Sequence, residues 1–274
     1  MIERNDIEIV EVDLLLHAIE KAYGYDFRHY AKSSLKRRLN LFMDNYQITS
    51  YIHLTDIILH NSDLFEELLK HLSITVTAMF RDPLFYRSFK ENILPVLKTY
   101  PFVKIWSAGC ATGEEIYSLA ILLHEEGFLE KTTLYATDFN NQALNIAKKG
   151  IYSTEHMKKF IDNYNQFGGK KSFSNYYTAK YDAIKLHDFL KDSIAFANHN
   201  LVTDRSFGEM NVILCRNVMI YFDNDLTNKV LSLFKHSLCH RGFLCIGTKE
   251  TLQFSQVEND FDVIDKQMKI YQKR

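Results

Sequence analysis

The sequence predicts an α/β protein: a Rossmann-like domain on a mostly parallel sheet, with a small antiparallel β insertion, preceded by a small all-α domain. Three observations predict it. Up to about His71 the pattern is helical, with no proline and a single glycine, Gly24. From Ile93 onward, short β-rich runs alternate with helical ones, the signature of βαβ units. Between about Asn163 and Asp192 that alternation breaks. The implied boundaries are a helical domain at 1–72, a linker at 73–95 and an α/β domain at 96–274, with the insertion near 163–192.

A chain of 274 residues with 46% hydrophobic and 14% aromatic content can bury a sizeable core. Its 33 basic and 34 acidic side chains nearly cancel, so no global field draws it to nucleic acid or to a lipid surface. Cys110, Cys215, Cys239 and Cys245 form no CxxC pair and have no histidine at zinc-finger spacing. That pattern points away from a structural metal or a disulfide framework and towards a reducing cytoplasm. The N-terminus MIERNDIEIVEVD is acidic and has no signal-like apolar core, and no apolar run reaches the roughly 18 to 20 residues of a membrane span.

In the helical part, Gly24 can end a first helix after Ala18, Ile19 and Ala22. A second helix places Leu35, Leu39, Phe42 and Tyr46 on one apolar stripe, with Arg37 opposite and Lys36 and Arg38 flanking. With Arg28 and Lys32 just upstream, the segment RHYAKSSLKRR holds five fixed positive charges and no acid, a local concentration in a neutral protein. A solvated helix face and a docking surface for an acidic partner both fit it.

The α/β part reads as strand VKIWSAG, helix EEIYSLAILLHEE, strand TTLYATD and helix NQALNIAKKG. Strands SIAFANHN, MNVILCRN and GFLCIGT follow, with helix LTNKVLSLFKHSL and a last strand MKIYQK closing a hairpin. The insertion carries Gly168-Gly169 and then aromatic-rich alternating segments suited to a small antiparallel ribbon. Pro83, Pro95 and Pro101 all fall where the two parts join.

VKIWSAG runs straight into GCATGEE and a helix, so the amides of Gly109 to Gly113 and the positive helix end face whatever lies above the sheet. There is neither a full GxGxxG nor a P-loop lysine, so phosphate is not specifically indicated, and the glycines can equally serve a tight turn. Asp138 ends the second strand about 25 residues beyond Gly113, near the offset at which an acid meets a ribose diol. It can also cap the helix that follows. Glu114 and Glu115 are favoured at a helix N-terminus whether or not a cationic ligand sits there. Arg216, Asn217 and Tyr221 cluster at the end of an apolar strand, where active-site loops of open α/β sheets belong.

SITVTAMFRD, IWSAGCATGEEIYSLA, YATDFNNQALNIAKKGIY, FANHNL and CRNVMIYFD resemble, in this order, the hallmark segments of the CheR family of chemotaxis receptor methyltransferases. The resemblance runs from about Tyr25 to the C-terminus. It implies a class I fold dependent on S-adenosylmethionine, yielding S-adenosylhomocysteine, and esterification of glutamate side chains on chemoreceptors. It also implies a cofactor site of Thr75, Thr77 and Arg81 from the linker with Gly109, Glu115, Asp138, Asn200, Leu201, Arg216 and Asn217. Arg81 and Tyr221 would lie nearest the transferred methyl group. Arg28, Lys32, Lys36, Arg37 and Arg38 would dock the acidic helical region of a receptor, and the β insertion could take a receptor C-terminal peptide. Thr75 stands where many relatives have Asn, Cys110 lies within the glycine loop, and GTKE at Gly247 to Glu250 replaces the common GHSE. Two other readings stay open: a cofactor-binding scaffold without turnover, and a methyltransferase with a different acceptor.

Overall fold

The computed structural model describes residues 4–73 and 77–274, which divide into two compact units. Of the described residues, the first unit holds those up to Ser73 together with Tyr221–Thr227, and the second holds the rest. Among the described residues, no helix is long and apolar enough to cross a membrane.

The first unit contains α1 (Arg4–Tyr23), α2 (Lys32–Asn45), α3 (Tyr51–His60) and α4 (Ser62–Leu72). Gly24, at φ +77°, donates its N–H to Glu20 O and ends α1, a conformation that glycine adopts without strain. Ser50 and Asn61 cap α3 and α4 by accepting N–H bonds from His53 and Leu64. The stripe on α2 is Leu35, Leu39, Phe42 and Met43. Tyr46 is 43% exposed, because the helix ends at Asn45 and the 3.6-residue repeat no longer carries it inward. Tyr23 stacks on Phe65 with ring centroids 3.6 Å apart.

The basic segment is less positive in space than in sequence. Arg28 pairs with Glu20 at 2.7 Å and Asp26 at 2.8 Å, and Lys36 with Glu8 at 2.9 Å. Arg38 donates to Leu72 O at 2.6 Å and Ser34 Oγ at 2.9 Å, with its guanidinium 4.9 Å above the Tyr221 ring. Lys32 and Arg37 are exposed and, among the described residues, in no ion pair. The acids come chiefly from α1, which a window on residues 28–38 does not include.

In the second unit, α5 (Pro83–Ser88) and α6 (Leu94–Leu97) flank a π-helical turn, Phe89–Ile93. There follow β1 (Val103–Ala108), α7 (Glu114–Glu125), β2 (Thr132–Asp138), α8 (Asn141–Lys149), β3 (Ile151–Ser153), α9 (Met157–Phe167), β4 (Tyr177–Lys180), β5 (Ala183–Leu186), α10 (Asp188–Lys191), β6 (Ile194–Asn198) and β7 (Met210–Cys215). The chain ends with α11 (Asn224–Ser237), whose first turn belongs to the first unit, then β8 (Leu238–Ile246), β9 (Phe261–Asp265) and β10 (Ile270–Lys273).

Seven strands form one sheet in the order β6-β2-β1-β7-β8-β10-β9. The first five run parallel, and β10 is antiparallel to both neighbours. Strand order therefore reverses at β1, with β2 on one side and β7 on the other, and the loops at their carboxyl ends frame a crevice. In β1 only Lys104 is exposed, as expected of a strand covered on both faces. β9 was not anticipated from the sequence, since FDVID is short and half-charged.

The antiparallel sheet has three strands, in the order β3-β5-β4. β3 lies before the interval 163–192, and residues 163–167 finish a helix, so the insertion begins earlier than its sequence texture suggests. Glu125, at the end of α7, holds it: Tyr176 Oη donates to Glu125 Oε1 at 2.7 Å, Tyr164 Oη donates to the same oxygen, and Lys170 N donates at 3.1 Å to Oε2. Residues 77–97 also pack into this unit. Phe80 is fully buried, its ring centroid 5.0 Å from Tyr86, 5.1 Å from Phe167 and 5.2 Å from Tyr164.

Phe80→Ala should lower stability by about 3–5 kcal/mol, as expected for emptying an aromatic site in a packed core. Urea unfolding followed by fluorescence of Trp106, the chain's one tryptophan, checks this in the second unit.

Candidate active site

The crevice is built at the carboxyl ends of β1, β2, β6 and β7. After Ala108 the chain turns at Gly109, φ +76°, and the N–H groups of Gly109 and Cys110 both donate to Thr137 O, at 2.8 and 2.9 Å. A Cβ on Gly109 would lie 2.7 Å from Val218 Cγ2, and one on Gly113 2.9 Å from Ala147 Cβ. Both glycines thus permit close approach as well as a left-handed turn. Gly113 N-caps α7 without a side-chain bond, and the α7 turn that follows begins with Glu114 and Glu115.

Asp138 is buried at the end of β2. Its Oδ2 accepts from Ala111 N and its Oδ1 from Asn140 N, each at 2.9 Å. Burial raises its pKa above the ordinary carboxylate value, while amides of Asn140, Ala111 and Phe139 oppose the rise. The cap of α8 is Asn140, whose Oδ1 accepts from Gln142 N and Ala143 N. Asp138 therefore ties the glycine loop to the β2–α8 turn, and each of its oxygens retains a second lone pair. His199 N donates to Asp138 O at 3.2 Å, linking in the next loop. There Asn200 Oδ1 accepts from Val202 N at 2.9 Å, Asn200 N donates to Asp204 Oδ2 at 2.9 Å, and Leu201 is buried.

On the β7 side, the Arg216 side chain is 1% exposed. Its Nη1 donates to Glu115 Oε2 at 2.9 Å, and its Nη2 donates to Asp82 Oδ2 at 2.8 Å and to Arg81 O at 3.4 Å. Its guanidinium carbon lies 4.0 Å from the Phe85 ring centroid. Both amino groups of Arg216, which the sequence placed in the cofactor site, brace the walls of the crevice. It fixes α7 to the turn that carries Arg81. That turn is strained, with Phe80 and Asp82 at φ +50° and +57° on either side of Arg81. It is pinned by Phe80 N donating to Ser118 Oγ at 2.8 Å and Asn163 Nδ2 donating to Met79 O at 2.9 Å. Thr77 is half-buried just before it, and Thr75 lies outside the described residues.

Asn217 is left-handed, at φ +61°. The loop it begins is held by Glu250, a role the sequence reading did not assign. The Glu250 carboxylate accepts from Asn217 N at 3.2 Å, Val218 N at 3.0 Å, Ile220 N at 3.2 Å and also from Gly247 N. A Cβ at Gly247 would lie 2.8 Å from both Asn217 N and Glu250 Oε2. Of the four GTKE residues, Gly247 and Glu250 make the clasp, while Thr248 and Lys249 are exposed. A buried-acid signal was present in Glu250 following an apolar strand.

Tyr221 belongs by its contacts to the first unit, where its carbonyl accepts from Ala31 N at 2.7 Å. Burial pushes the thiols of Cys110, Cys215 and Cys245 up, which keeps all three from being thiolates at neutral pH. Among the described residues, no three His, Cys, Asp or Glu side chains group to hold a metal ion.

The family model for the SAM-binding domain of CheR methyltransferases matches residues 75–270, and that for the CheR all-alpha domain matches residues 11–73. The chain belongs to the CheR methyltransferase family. It is 44% identical over 264 residues to Cher3 of Pseudomonas putida, covering 96% of this chain and 97% of that one. It is 28% identical over 263 residues to a chemotaxis protein methyltransferase of Borreliella burgdorferi, covering 89% and 88% of the two chains. With a chemotaxis protein methyltransferase of Listeria monocytogenes it shares 25% identity over 236 residues, 85% and 87% of the two chains. The cofactor of this CheR-family chain is S-adenosylmethionine, and the crevice suits it. Asp138 stands at the carboxyl end of β2, and Glu115 in the first turn of α7 accepts from Ser107 Oγ at 3.2 Å and from Arg216 Nη1 at 2.9 Å.

Two outcomes test the site. Burial pushes the Glu114 carboxyl up from 4.5 to about 7. The folded chain then binds this proton more tightly than the unfolded one, so stability should fall as pH rises from about 4.5 to about 7. Melting temperatures across that range should slope less in Glu114→Gln. Glu250→Gln, which removes an acceptor from a set of amides, should cost about 1–3 kcal/mol in thermal unfolding.

Proposed function

We propose that this CheR-family chain transfers the methyl group of S-adenosylmethionine to glutamate side chains in the acidic helical region of cytoplasmic chemoreceptors. The observation that carries the reading is the braced turn holding Arg81. A strained, fully pinned backbone around one arginine, beside a crevice for a methyl donor, suits a group that must position a carboxylate.

S-adenosylmethionine supplies a methyl carbon made electrophilic by its sulfonium. A glutamate carboxylate, with an ordinary pKa near 4.3, is ionised at neutral pH and needs no general base. The protein's task is then orientation of acceptor oxygen, methyl carbon and sulfur in line. Arg81 holds a carboxylate through its planar fork, that of the acceptor or that of the methionine moiety. Asp138 takes the ribose hydroxyls, with Gly109, Asn200, Leu201 and Asn217 lining the nucleoside and Thr75 and Thr77 contributing from the preceding segment. Tyr221, its ring face covered by Arg38, orients the acceptor through its hydroxyl or shapes the methyl site with its ring.

Electrostatic docking falls mainly to Lys32 and Arg37, since Arg28, Lys36 and Arg38 have partners within the chain. The edge of β4, with Thr178, Ala179 and Lys180 exposed, can add a receptor C-terminal peptide as a further strand.

The test uses the full chain, methyl-labelled S-adenosylmethionine and a chemoreceptor cytoplasmic fragment. Label should enter the receptor and leave as methanol in mild base. Arg81→Ala should lower kcat/KM by about 100-fold, as misorientation alone can do. Lys32→Glu with Arg37→Glu should raise KM for the receptor, by less as salt is added. A receptor that takes up no label would contradict the reading.

A further inference from the structure

The loop between β6 and β7 leaves the carboxyl end of β6, on the crevice side of the sheet, and from His199 to Glu209 has neither helix nor strand to set its shape. It opens with a turn in which Thr203 N and Asp204 N donate to Asn200 O at 3.2 and 2.9 Å. His199 spans that turn. Its backbone N–H is tied to Asp138 O, and its Nε2 lies 3.0 Å from Arg205 O. A carbonyl oxygen only accepts, so Nε2 carries the proton and donates. Nδ1 is buried and has no hydrogen-bond partner among the described residues.

The imidazole has little freedom. His199 is 7% exposed, and its ring stands edge-on to those of Trp106 and Phe207, with centroids 5.3 and 5.4 Å away and planes at 89° and 81°. Trp106 is itself stacked on Phe207 and fixed by Nε1 donating to Thr137 Oγ1 at 2.8 Å. A phenylalanine would fill such an aromatic slot without the cost of a buried nitrogen that has no partner. What imidazole adds is one N–H, aimed at Arg205 O. That bond closes the turn at its far end, while the bond to Asp138 O holds its near end. The turn carrying Asn200 and Leu201 is thereby clamped to the acid at the end of β2.

We infer that His199 is a positioning residue for the cofactor, whose Nε2–H holds the Asn200–Arg205 turn in the shape that receives the nucleoside of S-adenosylmethionine. This rests on the reading above in which Asn200 and Leu201 line the nucleoside. His199 acts through that turn, so its effect falls on the nucleoside half of the ligand and not on the amino-acid half.

The experiment is calorimetric titration of the full chain with S-adenosylhomocysteine and with 5′-methylthioadenosine, which keeps the nucleoside and lacks the amino-acid part. Wild type, His199→Phe, His199→Asn, His199→Gln and Asn200→Ala are compared, with thermal unfolding of each in parallel. His199→Phe keeps a ring between Trp106 and Phe207 and drops the donor; it should bind both ligands about tenfold more weakly, by the same factor for each. His199→Asn, whose amide stands where Nδ1 does, should behave likewise. His199→Gln, whose amide N–H can reach the place of Nε2, should bind within about threefold of wild type. A packing role would give the reverse order, with Phe retaining affinity and Gln losing it. That order, or a loss that spares 5′-methylthioadenosine, overturns the inference. So does wild-type affinity in the folded Phe and Asn variants while Asn200→Ala binds weakly, and in that case the reading of the site stands. If Asn200→Ala also binds as wild type does, the turn does not line the nucleoside, and that reading falls together with the inference.

Discussion

A single buried guanidinium organises the crevice. Arg216 stands at the end of the central strand β7, removed from water, and reaches Glu115 on one side and Asp82 on the other. Burying an arginine this deeply is costly unless its charge is matched, and two carboxylates and the Phe85 ring face match it here. Burial alone would lower its pKa; the acids Glu115 and Asp82 and the neighbouring Tyr86 raise it, and the net shift is upward. The pair geometry thus favours the charged form that the brace requires. Because the fork is planar, the two acids are fixed in direction as well as distance, which a lysine could not reproduce.

The loops that meet at this point are all held in conformations they would not choose alone. Asp82, Ala111 and Asn217 each carry a positive φ without being glycine. Each is secured by groups distant in sequence: Asp82 by Arg216, Ala111 by Asp138, Asn217 by Glu250. Strain of this kind persists only where the surroundings over-determine it, and here they do so by a guanidinium–carboxylate pair at Asp82 and by carboxylates accepting from the backbone amides of Ala111 and Asn217. The result is a crevice assembled before any ligand arrives, so little binding energy need go into ordering it.

The elements that follow a repeating pattern were readable from the chain. β1, β2, β6 and β7 announce themselves as apolar runs ending in Gly, Asp or Asn, and α7 and α8 follow them at the expected spacing. The CheR resemblance rested on strings at those same strand ends, where Asp138, Asn200 and Asn217 lie. What escaped was long-range. Arg216 finds Asp82 across 134 residues and Glu115 across 101, and Glu250 finds Val218 across 32. No local window contains those partners, so the braces that Arg216 and Glu250 make were not legible in the sequence. The same blindness made the segment at 28–38 look fully basic, because its counter-charges Glu8 and Glu20 stand on α1. β3 and β9 were missed because strands of three and five residues at sheet edges carry too little periodicity to register.

The most direct measurement is calorimetric titration of S-adenosylmethionine into wild-type protein and into Arg216→Met, with thermal unfolding of both. Methionine keeps the apolar volume over Phe85 and drops both charge-assisted bonds. If the guanidinium brace assembles the crevice, the variant should still unfold cooperatively yet bind the cofactor at least tenfold more weakly. A folded Arg216→Met variant that binds S-adenosylmethionine as tightly as wild type would contradict that role.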